Sequence, residues 1–299
     1  MKKNRSKIRR IGLVANPEKS DAAAVVARAA ARIQAAGCQP IADEATARLV
    51  RMKITQLPQP ASLARAVDLL LVFGGDGTML RIGREVAGLR TPILGINLGG
   101  LGFLTAVSSS KLNEALEKVW AGEFQLEPRP LIQATGLAQG QPLNHLALND
   151  FVISRGATSR MIELQVSVDQ QVLTQYRCDG LIVSSPTGST AYGLAAGGAV
   201  VCPTAEVLTL TPICPHTLSN RSVVVSLRSQ IQVTVISRKL DTIFTADGQS
   251  QSILGAGDSV IIKRSPRSVQ LLHLNGTSFF ETLRQKLNWS GSHVLPIQP

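Results

Sequence analysis

LLLVFGGDGTML, residues 69–80, decides how this chain is read. An apolar run, Leu69 to Phe73, meets two glycines, an aspartate, a third glycine and a threonine. The run is short and bounded by a turn, which fits a strand buried on both faces. Met79, Leu80, Ile82 and Val86 then resume at helical spacing, so the stretch predicts strand, glycine turn, helix. Such a turn gathers backbone N–H groups and a helix N-terminus at one point, where an anion is favoured. Its glycines also let a ligand approach the main chain closely. Gly74, Gly75, Gly77 and Thr78 are therefore candidate phosphate-binding positions. Asp76 is out of place beside a phosphate unless it acts on a neighbouring hydroxyl or holds a metal ion.

The flanking sequence sets this unit in an alternating pattern. IGLVAN (11–16) and PILGIN (92–97) read as further strands. SDAAAVVARAAARIQAAG (20–37) reads as an alanine-rich helix, with Ser20 or Asp21 as N-cap and Gly37 just past its end. TQLPQPAS (55–62), with its two prolines, reads as a loop, and SKLNEALEKVWAG (110–122) as a helix closed by Gly122. Strands separated by helices predict parallel βαβ units over residues 11–126. The pattern changes after EPRP (127–130). MIELQVSVD (161–169) alternates strictly, with Ile162, Leu164, Val166 and Val168 on one face, and IQVTV (231–235) repeats the alternation. Short strands with few helices predict a pair of antiparallel sheets over residues 127–276. SFFETLRQKL (278–287) returns to helical spacing through Phe279, Phe280, Leu283 and Leu287. That helix, about 277–299, is expected to complete the first domain.

With 44% hydrophobic and 17% charged residues, the 299-residue chain is rich enough to build a core. No apolar run approaches a membrane span. The N-terminus is positive like a signal peptide, but its apolar part, IGLVA, is too short, so a cytoplasmic protein is expected. The net charge is +11, and six of the 31 basic residues fall in the first ten, which reads as a solvated basic tail over residues 1–10. Aromatics are only 4% and no zinc-finger or RNA-binding motif appears, which argues against nucleic acid. Cys38, Cys178, Cys202 and Cys214 form no CxxC pair, and His145, His216, His273 and His293 have no ligand spacing, so no protein-held metal site is expected.

The first strand is not followed by GxGxxG, and no GxxxxGK[ST] loop occurs, so whatever binds here uses another arrangement. A second glycine-rich stretch, CDGLIVSSPTGSTAYGLAAGGAVVCP (178–203), reads as strand, turn, then helix or tight loop. Its hydroxyls and bare backbone suit a base edge or ribose, and the Tyr192 ring suits a base face. LND (148–150) enters the strand FVIS. There Asn149 offers donor and acceptor to a purine, and Asp150 an acceptor to ribose hydroxyls. DGQ (247–249) is most simply a hairpin turn.

Taken together and in order, these stretches resemble the NAD kinase family. The matching segments are GGDGTML (74–80), GINLGGLGFL (95–104), LND (148–150), DGLIVSSPTGSTAYGLAAGG (179–198), LTPICPHTLSNR (210–221) and DGQ (247–249). GGDGT alone is shared with lipid kinases and resembles phosphofructokinases; TGSTAY is far more specific. The resemblance implies phosphorylation of the 2′-hydroxyl of the adenosine ribose of NAD by ATP or inorganic polyphosphate. It also implies a divalent cation, magnesium on the nucleotide. The implied fold is an α/β plus all-β chain: a Rossmann-like N-terminal domain and a β-sandwich-like C-terminal domain. The implied site lies between the two, in a homo-oligomer, dimer or tetramer.

By the same resemblance Asp76 is the catalytic base and contacts NAD together with Gly77. Asn149 and Asp150 meet the adenosine half, and Thr190, Ala191, Tyr192, Gly193, Leu194 and Ala195 line the dinucleotide. Arg81, Arg160, Asp179 and Gln249 fall at further binding positions, Asp179 toward the nicotinamide half. Two departures stand out. Asp150 replaces the glutamate many members carry, and Asn97-Leu98-Gly99-Gly100 lacks an arginine often found there, which puts phosphate contacts at that turn in doubt. The rival readings are a lipid or sugar kinase, a non-catalytic dinucleotide sensor and, on charge alone, a nucleic-acid binder.

Overall fold

The structure, a computed structural model, describes residues 8–50, 54–105, 107–157, 160–217, 221–238 and 241–289. The chain divides into two compact units: one comprises residues up to Ile82, Arg90–Glu127 and those from Gln270 on, the other Gly83–Leu89 and Pro128–Val269.

The first unit is built on a parallel sheet. Its strands Thr55–Leu57, Gln39–Asp43, Arg10–Ala15, Leu69–Gly74 and Ile93–Asn97 lie in that spatial order. Every residue of Leu69–Gly74 is buried, as its unbroken apolar run requires of a central parallel strand. Helices Ala22–Ala35 and Leu112–Ala121 close over Leu13, Leu71 and Phe73 through Val26, Ile33, Leu116 and Val119. The helix Phe279–Leu287 belongs to this unit, with the Phe279 and Phe103 rings 6.2 Å apart and Lys286 Nζ 5.0 Å above the Phe103 ring. Of its four apolar residues only Leu283 is buried, and Phe280 is exposed, so the helix uses a narrower stripe than its spacing predicts.

Three local expectations change. TQLPQPAS is not a loop: Thr55–Leu57 is an edge strand and Pro60–Ala66 a helix. Pro60 is tolerated because the first helical N–H has no partner to lose, and the Ser62 hydroxyl accepts from the Gln59 N–H at 3.2 Å. Asp21 occupies the N-cap, yet its carboxylate caps no helix N–H and accepts from the Ser20 hydroxyl instead. Ile8 is part of the core, Arg10 opens the first strand, and the N–H groups of Arg9 and Arg10 both donate to Asp68. Residues 1–7 of the expected tail, and 290–299 of the expected last helix, lie outside the described residues, as do 218–220 of the LTPICPHTLSNR segment.

The second unit is a two-sheet β structure. One sheet is antiparallel, in the order Val223–Ser226, Val207–Ile213, Gly180–Ser184, Asp150–Arg155, Thr242–Ala246, Ser250–Leu254. In the other, Gln171–Cys178, Ile162–Val168, Ile231–Val235 and the first half of Ser259–Leu274 pair antiparallel. The core lies between the sheets. Ile162, Leu164, Val166, Ile231 and Val233 come from one, and Phe151, Leu181, Val183 and Phe244 from the other, with the Phe151 and Phe244 rings stacked at 5.2 Å. The alternation at 161–169 and 231–235 thus marks inward faces. The expected α/β plus β-sandwich-like organisation is what the chain adopts.

Candidate active site

The glycine turn forms as strand, turn, helix. Leu69–Gly74 ends at Gly74, and the helix Asp76–Glu85 begins with Asp76 itself. A side chain at Gly74 would collide with Thr78, whose buried side chain fills that space. Gly75 has no atom near where its Cβ would be, and Gly77 is exposed. Of the four expected phosphate positions, Gly75 has open space beside it, Gly77 is exposed, and Gly74 and Thr78 are packed on each other.

The Asp76 carboxylate is half-buried and heavily engaged. Oδ2 accepts from the Phe103 N–H at 2.8 Å. Oδ1 accepts from the N–H groups of Leu104 and Thr105 at 3.0 and 3.2 Å and from the Thr105 hydroxyl at 3.1 Å. Asn97, ending the strand Ile93–Asn97, braces the same loop. Its Oδ1 accepts from the Gly99 N–H at 2.6 Å, and its Nδ2 donates to Gly100 O at 2.6 Å and to Thr105 Oγ1 at 2.8 Å. The sequence reading noticed 97–100 for a missing arginine and gave no role to Asn97 or Thr105. A polar residue closing an apolar parallel strand was the available signal. Arg81 lies on the next turn of the Asp76–Glu85 helix.

In the second unit Asp247 does far more than turn a hairpin. Asp247 and Gly248 take φ of 49° and 63°, and the Gln249 N–H donates to Ala246 O, a turn with two left-handed central residues. This directs the Asp247 carboxylate inward. Oδ1 accepts from the N–H groups of Asn149 and Asp150 at 2.8 and 3.2 Å, and Oδ2 from the Leu148 N–H at 3.0 Å. Arg84 completes the set, with one guanidinium nitrogen on Asp247 Oδ2 and another on Gln249 Oε1. The Asp247 side chain is fully buried and that of Arg84 is 15% exposed. One carboxylate thus ties Asn149, Asp150 and Gln249 into one cluster.

That cluster has free recognition groups. The half-buried Asn149 amide makes no hydrogen bond among the described residues. The buried Asp150 carboxyl makes no hydrogen bond among the described residues either, and burial, with the Asp247 charge adding, pushes its pKa up to about 7. The TGST turn (187–190) backs onto it. Ser185 Oγ donates to Leu148 O and accepts from the Gly188 N–H, and any side chain at Gly188 would strike the Asn149 backbone. Beyond the turn, the short helix Tyr192–Ala195 exposes Tyr192 and Ala195, half-buries Leu194 and buries Gly193; Thr190 and Ala191 are half-buried.

The remaining expected residues lie elsewhere in this unit. Asp179 accepts from Arg155 Nε at 3.0 Å. Arg160 lines a cleft of about 670 Å³ with Arg177 and Arg238, beside Met161, Glu163, Ile236 and Ser237. The sequence reading missed Arg84, Arg177, Arg238 and the inward duty of Asp247. No three His, Cys, Asp or Glu side chains among the described residues stand together to hold a metal ion.

The family model described as the ATP-NAD kinase N-terminal domain matches residues 11–124, and the one described as the ATP-NAD kinase C-terminal domain matches 148–274. A protein named NAD kinase from Syntrophotalea carbinolica is 40% identical over 94% of this chain and 99% of its own length. One from Symbiobacterium thermophilum is 43% identical over 92% and 98%. Among solved structures, yeast NADH kinase complexed with NADH covers 97% of this chain and 90% of its own at a TM-score of 0.87. At 22% identity that is a likeness of fold. An NAD kinase from Archaeoglobus fulgidus in complex with ATP is 26% identical, with a TM-score of 0.73 over 93% of this chain and 98% of that one. Two family models covering most of the sequence, and relatives of this identity along nearly their whole length, establish that the chain belongs to the NAD kinase family.

Proposed function

We propose that this chain transfers the γ-phosphoryl group of ATP to the 2′-hydroxyl of the adenosine ribose of NAD, giving NADP, with Asp76 as the general base. Asp76 takes the hydroxyl proton while the ribose oxygen bonds to the γ-phosphorus. The bond from that phosphorus to the β–γ bridging oxygen breaks, and ADP leaves with the electron pair. Supporting the base role is the position of Asp76 at the start of the helix after the glycine turn, its carboxylate steadied by residues 103–105. Gly75, with open space where a side chain would stand, and the exposed Gly77 are the backbone that receives phosphate. Asn149 and Asp150 take the adenosine half, Gln249 and Thr190–Ala195 line the dinucleotide, and Arg81, Arg160 and Asp179 serve as further contacts.

A divalent ion, magnesium, comes with the triphosphate as part of the donor and offsets its negative charge. The protein works in the cytoplasm as a homo-oligomer. Favouring assembly are Val172 and Leu173, exposed on the sheet-edge strand Gln171–Cys178, and Val224, exposed on the edge strand Val223–Ser226. No helix among the described residues is long and apolar enough to cross a membrane.

Asp76→Asn tests the base. Its kcat is expected to fall roughly 10²–10⁴-fold while the Kd for NAD by calorimetry stays within about three-fold. A variant turning over near the wild-type rate would remove Asp76 from that role. Running polyphosphate beside ATP in the same assay identifies the preferred donor.

A further inference from the structure

We propose that Asn97 and Thr105 are positioning residues that decide which oxygen of Asp76 receives the proton. Oδ1 is committed to the loop, and Oδ2 is the reacting oxygen. This rests on the reading of Asp76 as the base.

The assignment follows from counting donors and lone pairs. The Asn97 amide has its orientation fixed, because its oxygen accepts from the Gly99 N–H; its nitrogen must therefore be the group facing Thr105 Oγ1. A threonine hydroxyl has one proton. Since Thr105 Oγ1 accepts from Asn97, its own proton has one remaining partner at hydrogen-bond distance among the described residues, Asp76 Oδ1 at 3.1 Å. Oδ1 then receives three donors, Leu104 N–H, Thr105 N–H and Thr105 O–H, more than its two in-plane lone pairs. Oδ2 receives one, the Phe103 N–H, and keeps a lone pair for an incoming hydroxyl.

The device is buried where water cannot replace it. Thr105 is fully buried and Asn97 nearly so, while Asp76 at the end of the chain of bonds is half-buried. Any side chain at Gly102 would strike both Asp76 Oδ1 and Thr105 Oγ1, so the loop closes on the carboxylate only with glycine there. A buried network of this kind, with its members satisfied, holds one geometry.

A double-mutant cycle on kcat tests this, with NAD and magnesium ATP as substrates. Thr105→Val keeps the shape and deletes the hydroxyl. It is expected to lower kcat about ten- to a hundred-fold, the worth of a hydrogen bond to a charged group, with KM for NAD moving less than about two-fold. Thr105→Ser is expected to restore most of the rate, since it returns the hydroxyl alone. In the Asp76→Asn background, Thr105→Val is expected to cost nothing further, because it acts only through Asp76. If Thr105→Val does not fold, Thr105→Ala carries the same comparison.

A folded Thr105→Val or Ala enzyme with wild-type kcat overturns the proposal. So does a Ser variant as slow as Val, or a loss that adds in full to that of Asp76→Asn, which marks a merely structural residue. If Asp76→Asn alone keeps the wild-type rate, the base reading falls and takes this inference with it. If Asp76→Asn is dead while Thr105→Val is fast, only this inference falls.

Discussion

Asp150 is a buried carboxyl with no hydrogen-bond partner among the described residues, set beside a second buried carboxylate, Asp247. Burial, and then the Asp247 charge, raise its pKa from 3.8 to about 7. Below about pH 4 the group is neutral in both folded and unfolded chains. As pH rises toward about 7, the unfolded chain releases its proton while the folded chain retains it, so stability falls across that window and levels off above it. Asp150→Asn removes the cost. Its Tm is expected to match the wild type near pH 4 and exceed it by several degrees at about pH 8, a difference on the order of a few kcal/mol. Equal Tm values at both pH values would show that Asp150 ionises as an exposed carboxylate does. The residue types at 149 and 150 were legible in the sequence as polar groups suited to a nucleoside. Their environment was not, since the carboxylate that raises the Asp150 pKa comes from a turn 97 residues later in the chain.

At the scale of elements, the hairpin turn after Thr242–Ala246 and the last turn of the helix Asp76–Glu85 meet in one buried ion pair, Arg84 with Asp247. Removing one member of such a pair leaves an uncompensated charge or bare donors. Asp247→Ala, which strips three backbone N–H groups of their acceptor and leaves Arg84 without its counter-charge, is expected to lower stability by about 3–5 kcal/mol in urea unfolding. Arg84→Met is expected to cost less, because Asp247 keeps its three backbone donors. Equal losses for the two variants would mean that the backbone bonds carry little. The sequence read DGQ as a turn because Asp and Gly are what such a turn selects, and that pressure hides any second duty of the side chain. TQLPQPAS was misread for a related reason. Two prolines look like a break, yet one at the first helical position costs nothing, and the strand it follows is an edge. By contrast LLLVFGGDGTML was legible throughout, because burial on both faces leaves an unbroken apolar run and the helix resumes at its own period.

For the whole molecule, the two-part architecture was readable from the change at EPRP, where helical spacing gives way to alternation. The pairings that shape the sites were not, since Arg84 and Asp247 stand 163 positions apart and local pattern says nothing about such partners. The net charge of +11 is a property at this scale too, and Ile8 in the core limits how much of the basic N-terminus can be spared. Deleting residues 1–7 is expected to leave turnover unchanged at physiological salt, where charges beyond about 8 Å are screened. A large rise in KM for the donor would show instead that this segment steers the polyanion. The acceptor proposed for this enzyme is the 2′-hydroxyl of the adenosine ribose of NAD. Its most direct test is phosphorus NMR of the product formed from NAD, ATP and magnesium, compared with authentic NADP. A single new phosphomonoester resonance matching the 2′-phosphate, growing far more slowly with Asp76→Asn, is the expected result; a phosphate on another hydroxyl, or ATP hydrolysed with NAD left intact, would contradict this assignment.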